Sequence, residues 1–162
     1  MTSLNKNNRG FTIVELLIVI VVIGILAALV ITTFNGIQQK GRDTERQTDI
    51  KALHGQLEAY NAQNGRYPTA SDIGTTSANN VTFISTNMKG LDKEALRDPK
   101  GASGDFSLLN STPGAGANKY GYVPAPSGCD NNGTDCTSYT LTAALEGKID
   151  NSSTYSKTSL NN

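Results

Sequence analysis

The sequence has no tryptophan, a single histidine and only two cysteines among its 162 residues. Catalytic triads and zinc sites need clustered histidine or cysteine side chains, so one histidine (His54) excludes most of them. No glycine-rich phosphate-binding fingerprint is present either. Basic and acidic residues balance at 14 each, which removes the general positive charge that attracts nucleic acid. The composition therefore predicts a protein that is not an enzyme and that has no cofactor and no metal site.

Hydrophobic residues are concentrated at one end of the chain. From Phe11 to Ile31, which we call the apolar segment, a single residue, Glu15, is charged. At about 1.5 Å per residue this segment matches the roughly 30 Å thickness of a bilayer core, and it exceeds the 7–15 apolar residues of an ordinary secretory signal. We therefore expect a retained transmembrane helix. An acidic side chain inside such a helix costs on the order of 3 kcal/mol, so Glu15 should have a partner or a role.

The residues Gly10-Phe11-Thr12-Ile13-Val14-Glu15, preceded by a short polar stretch with Lys6 and Arg9, resemble the N-terminus of the type IV pilin and pseudopilin family. The resemblance implies that prepilin peptidase cuts between Gly10 and Phe11, which removes a leader of residues 1–10. It also implies N-methylation of Phe11. Glu15 would pair with the α-amino group of a neighbouring Phe11 and so set the register of assembly. Many family members have a proline where this chain has Thr32, so no helix kink is implied there.

By this resemblance the chain is a structural subunit of a surface filament. Its partners would be copies of itself or other pilins, the prepilin peptidase, the pilus assembly platform and the membrane. The precursor would cross the inner or cytoplasmic membrane once, with its C-terminal part outside, and the assembled form would lie in an extracellular pilus or pseudopilus. The alternative from another class is a single-pass surface protein that binds a ligand and never polymerises. The motif does not distinguish adhesion, motility, secretion and DNA uptake.

Beyond the filament-core half of the helix (residues 11–34) the pattern becomes amphipathic over residues 35–64. Ile50, Leu53, Leu57 and Tyr60 follow a 3-4-3 spacing, and Asn64-Gly65 is a helix stop signal. His54 lies on or beside this stripe, where a hydrogen-bonded interface histidine is expected. The apolar stripe needs a cover, which only the C-terminal residues can supply.

Residues 65–150 predict a small, loop-rich head with an antiparallel sheet, followed by a flexible tail at 151–162. Strand signals occur at Tyr120–Val123 and Tyr139–Glu146, and short apolar patches at 81–84 and 106–109 suggest one or two further strands. Residues 91–96 suggest a short helical turn. The predicted fold is therefore α+β and pilin-like, with a long N-terminal helix packed against a small sheet.

Cys129 and Cys136 lie close together near the C-terminus. A disulfide that closes a short loop is the simplest interpretation, and it requires an oxidising compartment outside the cytoplasm. Two reduced thiols or a shared metal site are the alternatives. The loop between the cysteines contains Asp, Asn and Gly, which fit either a turn or calcium, although a bidentate glutamate is missing.

A third functional hypothesis is a DNA receptor. It would use a basic patch formed by Lys89, Lys93, Arg97 and Lys100. Interleaved acidic residues weaken this patch, so nucleic acid is not the favoured partner.

Overall fold

The computed structural model describes residues 10–161, except for the side chain of Thr32. The expected leader, with Lys6 and Arg9, therefore lies outside the described residues apart from Gly10. The chain divides into two compact units, one ending at Gln38 and one comprising Gln39–Asn162. We call the second unit the head, and each unit is described by itself.

Helix α1 runs from Ile13 to Asn64 without interruption, which confirms the predicted long helix. It ends where Gly65 adopts a positive φ of 72° and donates its backbone N–H to the carbonyl of Asn61 at 2.7 Å. A residue without a β-carbon adopts this left-handed conformation at little cost, so the glycine stops the helix. Within the head, the predicted stripe is buried: Ile50, Leu53 and Leu57 are at most 1% exposed.

A three-stranded antiparallel sheet covers this stripe. Its strands are β1 (Gly121–Ala125), β2 (Ser138–Ile149) and β3 (Ser152–Thr158), in the order β1-β2-β3. Tyr139, Leu141 and Ala143 alternate along β2 and are buried in the same core cluster as the α1 stripe. Alternation with period two places these side chains on one face of the sheet. The predicted α+β architecture and the pairing of the first two strands are therefore confirmed.

The segment between α1 and the sheet differs from the expectation of loops and short strands. Residues Ser77–Asn87 form a second helix, α2, which includes the patch at 81–84 that suggested a strand. Asn80, Ile84 and Met88 are buried at intervals of four residues, which is a helical spacing. The 106–109 patch makes only one isolated bridge, between Leu109 and Gly121. The predicted turn at 91–96 is confirmed as a 3-10 helix at Lys93–Leu96.

The expected flexible tail at 151–162 is wrong. Seven of its residues form β3, which pairs with β2 from Thr140↔Thr158 to Ile149↔Ser152. After β3, the backbone N–H of Ser159 donates to the carbonyl of Tyr139 at 3.1 Å. The many Ser and Thr residues of this stretch predicted a solvent-exposed tail. The edge of β2, however, offers backbone hydrogen bonds, which form whether or not the side chains are hydrophobic.

The loop between β1 and β2 is closed by a disulfide between Cys129 and Cys136, with Cα atoms 5.2 Å apart. This confirms the predicted pairing. Asp130 Oδ1 accepts backbone N–H groups from Asn132, Gly133 and Thr134 at 2.9, 2.9 and 3.3 Å. These bonds lower the pKa of Asp130 to about 2. The Asp-Asn-Gly composition of the loop is thus explained by turn formation, and no cluster of three metal-ligating side chains occurs among residues 10–161.

A charge network around the buried Arg46 joins α1, the residue Asp98 just after the 3-10 helix, and β2 within the head. Arg46 is 2% exposed, and its Nε and Nη2 donate to the two carboxylate oxygens of Asp98 at 2.7 and 2.9 Å. Its Nη1 donates to Asp43 Oδ1 at 2.8 Å and to Glu146 Oε1 at 3.0 Å. Arg42 also binds Glu146, through two hydrogen bonds of 2.7 Å, and this holds the pKa of Glu146 well below its usual range. All four of these hydrogen bonds from Arg46 end on carboxylate oxygens. They compensate for the burial of the guanidinium charge.

Asp49 lies one turn after this network, and its Oδ2 accepts a hydrogen bond from the hydroxyl of Tyr120 at 2.7 Å. Partial burial is the main cause that raises the pKa of Asp49, to about 6, and nearby Glu45 and Asp98 add to it. The fold therefore favours the protonated carboxyl group. Asp49 therefore contributes to the stability of the fold at a pH below about 3.9, the pKa of aspartate in an unfolded chain. This contribution is lost as the pH rises through about 6, the pKa of Asp49 in the folded head.

We expect the substitution Asp49→Asn to stabilise the head at pH 7 by on the order of 1–2 kcal/mol, after a discount for partial exposure. The amide keeps an acceptor for Tyr120 and carries no charge, so the gain should vanish below about pH 4. Urea unfolding of the full chain in detergent, measured at several pH values, checks this. A gain that is the same at pH 4 and pH 7 would show that ionisation of Asp49 is not its cause.

Candidate processing and assembly site

The residues that the family motif identifies lie at the beginning of α1. Gly10, Phe11 and Thr12 precede the helix and have no regular secondary structure, and Ile13 is the first helical residue. Phe11 is 80% exposed, and a side chain added at Gly10 would meet nothing within 4 Å. The bond between Gly10 and Phe11 therefore lies in a segment without helical structure.

Thr12 and Glu15 form a reciprocal pair of hydrogen bonds at this helix end. The backbone N–H of Glu15 donates to Thr12 Oγ1 at 3.2 Å, and the backbone N–H of Thr12 donates to Glu15 Oε2 at 2.8 Å. The Thr12 hydroxyl also donates to Glu15 Oε2, at 2.8 Å. This is a capping box, in which an N-cap threonine and a glutamate three residues later satisfy each other's exposed backbone N–H groups.

The capping box uses only one of the two carboxylate oxygens of Glu15. Oε2 accepts both bonds from Thr12, whereas Oε1 accepts none from any residue within 10–161. A carboxylate oxygen at a helix N-terminus attracts a positive group. The local geometry thus holds the side chain through Oε2 and leaves Oε1 without a hydrogen bond from residues 10–161.

Thr12 as a partner of Glu15 was not among the sequence-based expectations, although the signal was present. The spacing Thr-x-x-Glu before an apolar run is typical of a helix start. The expected partner of Glu15, an amino group of a second chain, has no counterpart in a single chain.

The apolar segment that follows exposes its side chains on all sides. Val22 and Val19, at 47% and 48%, are the least exposed large apolar residues there. Helix α1 contains a window long and apolar enough to cross a membrane, with a mean hydropathy of 3.2, and none of that window is buried. An apolar surface of this extent needs lipid or another protein as its neighbour.

His54, which the sequence also singled out, has structural partners. Nδ1 of His54 lies 2.7 Å from the hydroxyl of Tyr139, which donates to Glu58 Oε1 at 2.8 Å, so the expected hydrogen-bonded histidine is confirmed.

The basic patch proposed for DNA is largely occupied. Lys100 pairs with Glu146 at 2.8 Å, Arg97 pairs with Glu94 at 2.8 Å, and Lys93 lies 5.3 Å from the centre of the Phe106 ring. Two of the four positive charges of the patch, those of Lys100 and Arg97, are therefore paired with carboxylates.

Residues 5–31 match the model of the prokaryotic N-terminal methylation motif. The chain is 34% identical to the type II secretion system core protein G of Escherichia coli K12 over 106 residues, which are 63% of this chain and 72% of that protein. The core protein G of Dickeya chrysanthemi is 41% identical over 66 residues, or 41% of this chain and 43% of that protein.

The type IV major pilin protein PilA of Myxococcus xanthus is 39% identical over 75 residues, which are 46% of this chain and 34% of that protein. The matches to the Dickeya and Myxococcus proteins thus span less than half of those relatives. No solved structure matches the chain.

Proposed function

Because this chain belongs to the pilin and pseudopilin family that includes the type II secretion system core protein G, we propose that it is a structural filament subunit and not an enzyme. The observation that carries the proposal is the arrangement at the start of α1. A non-helical Gly10-Phe11 bond, a capped Glu15 and an uncovered apolar helix follow one another within the first described residues.

In this proposal the prepilin peptidase cuts the exposed bond after Gly10 and N-methylates Phe11. Cleavage creates a new positive α-amino group, four residues before Glu15. The apolar segment holds the precursor in the membrane, where lipid covers its exposed side chains. In the filament, the same side chains pack against other subunits, delivered by the assembly platform.

Glu15 would then select the axial register between subunits. Its Oε1 is free within the described residues and can accept a hydrogen bond from the α-amino group of a neighbouring Phe11. Two opposite charges in an apolar medium neutralise each other only when they meet, so a shifted register would leave both unpaired. The disulfide of the head supports a location of the head outside the cytoplasm.

The test is the intact mass and the N-terminal sequence of protein sheared from the cell surface. We expect a chain that starts at N-methylated Phe11 and is found in the filament fraction. A Gly10→Val variant should keep residues 1–10 and stay in the membrane fraction, because the branched side chain of valine would prevent the peptidase from cutting after residue 10. Wild-type protein that stays in the membrane with residues 1–10 attached would contradict the proposal and favour the anchored surface protein.

A further inference from the structure

Two neighbouring clefts lie on the head: one is lined by the C-terminal part of α1 and the end of α2, and the other by α2 and residues 71–72. Each has a volume of about 320 Å³. They share Thr86 and Asn87, so they adjoin at the C-terminal end of α2, and we call the two together the double cleft. The volume suits one or two sugar-sized groups in each half.

The walls of the double cleft are rich in uncharged polar side chains. The amides and hydroxyls that line it are Gln56, Gln63, Asn64, Ser71, Asn79, Thr82, Thr86 and Asn87. Only Asp72 in one half and Lys89 in the other are charged. A third cleft of the head is different, because its lining includes Arg46 and Lys100, each of which already pairs with Glu146 in the same lining. The double cleft therefore fits a neutral ligand better than an ionic one.

Many of these polar groups have unused hydrogen-bonding capacity. The side chains of Gln56, Gln63 and Asn79 form no hydrogen bond with any residue in the described part of the chain. Asn87 donates through Nδ2 to the carbonyl of Phe83 at 3.0 Å, which leaves its Oδ1 as an acceptor. Each free amide offers both a donor and an acceptor, which is what a ligand hydroxyl needs.

An aromatic pair stands between the two halves. Tyr60 lines one half and Phe83 lines the other, with ring centres 5.3 Å apart and planes tilted by 51°. Both rings pack against the head core, as do the neighbouring Val81 and Ile84, so their positions are fixed before any ligand arrives. Fixed rings lose little conformational freedom on binding. The C–H faces of a sugar ring pack on aromatic rings while its hydroxyls bond to surrounding amides.

We propose that the double cleft is a binding site for an uncharged oligosaccharide of two or more sugar units. Each half holds one unit against one ring, with the amides of α1 and α2 bonding to its hydroxyls. This activity belongs to the head alone and does not depend on filament assembly, so its failure would leave the proposed structural role unaffected.

The test is saturation-transfer difference NMR on the full chain in a phosphocholine detergent, which contains no sugar. The probes are maltotriose, cellotriose and the N-acetylglucosamine trimer at millimolar concentration. We expect transfer to the ring C–H protons of at least one trisaccharide. Phe83→Leu, which keeps apolar volume but removes the ring, should weaken binding by about three- to tenfold. Gln63→Ala, on the other half, should also weaken it.

The matched control is Asn118→Ala, which removes an exposed amide from the third cleft. It should leave binding unchanged. The proposal is overturned if none of the three trisaccharides receives saturation. It is also overturned if Phe83→Leu and Gln63→Ala bind as the wild type does, because the sugar would then bind elsewhere.

Discussion

Replacing Arg46 with alanine is expected to destabilise the head by about 3–5 kcal/mol, a large part of the 5–15 kcal/mol typical of a whole domain. Arg46 is 2% exposed, and Asp98, its bidentate partner, is 1% exposed. Removal of the guanidinium leaves the Asp98 carboxylate buried without its main counter-charge. Asp43 and Glu146 lose a hydrogen bond each. Urea unfolding followed by tyrosine fluorescence measures the loss in the head alone, since all six tyrosines lie beyond residue 38 and tryptophan is absent.

The matched control is Arg97→Ala, because Arg97 also pairs with a carboxylate at 2.8 Å. Here, however, Arg97 and Glu94 keep 32% and 50% of their side-chain surface exposed. Such a pair contributes at most about 1 kcal/mol. A double variant that makes positions 46 and 98 apolar, Arg46→Met with Asp98→Leu, should recover part of the loss, since the Asp98 carboxylate is no longer buried without its counter-charge, while Asp43 still lacks Arg46. If Arg46→Ala costs no more than Arg97→Ala, burial of the network contributes nothing to stability.

This network could not be predicted from the sequence, although its members are visible there. Asp43 and Arg46 have the spacing of an ordinary pair on a helix surface. Their burial depends on contacts with Asp98 and Glu146, which lie 52 and 100 residues from Arg46. No local pattern encodes contacts over such separations. The apolar stripe of α1 was predictable because its 3-4-3 spacing lies within one element.

Two further elements of the head, α2 and β3, were not predicted from the sequence. Helix α2 was expected to be loop and strand because a four-residue apolar patch fits a strand or a helix equally well. Strand β3 consists only of Ser, Thr, Tyr and Lys, and it forms because the edge of β2 offers it backbone hydrogen-bond partners. In contrast, the motif from Gly10 to Glu15 is short and local, and the capping box at Thr12 could have been read from it directly.

The substitution Glu15→Gln is expected to leave processing intact and to reduce assembly into filaments by at least about tenfold. Glutamine is accepted at this position of a capping box, so the bonds with Thr12 should persist. What is lost is the negative charge that would meet the α-amino group of a neighbouring Phe11. Leaving that amino group unpaired in an apolar environment costs about 3–5 kcal/mol per subunit. This free energy is larger than the one that corresponds to a tenfold change in assembly. The measurement compares the amount of N-methylated chain in the membrane fraction with that in sheared filaments.

The complementary variant Thr12→Val separates the cap from the charge. It removes the hydroxyl that accepts from the N–H of Glu15 and donates to Oε2, at a cost of about 1 kcal/mol to the helix start. Because Glu15 stays ionised, filaments should still form, although in smaller amounts. If instead Glu15→Gln assembles normally and Thr12→Val does not, the glutamate serves the helix end and not the register. Equal loss in both variants would mean that the carboxylate must be held by Thr12 before a neighbouring amino group can reach its free oxygen.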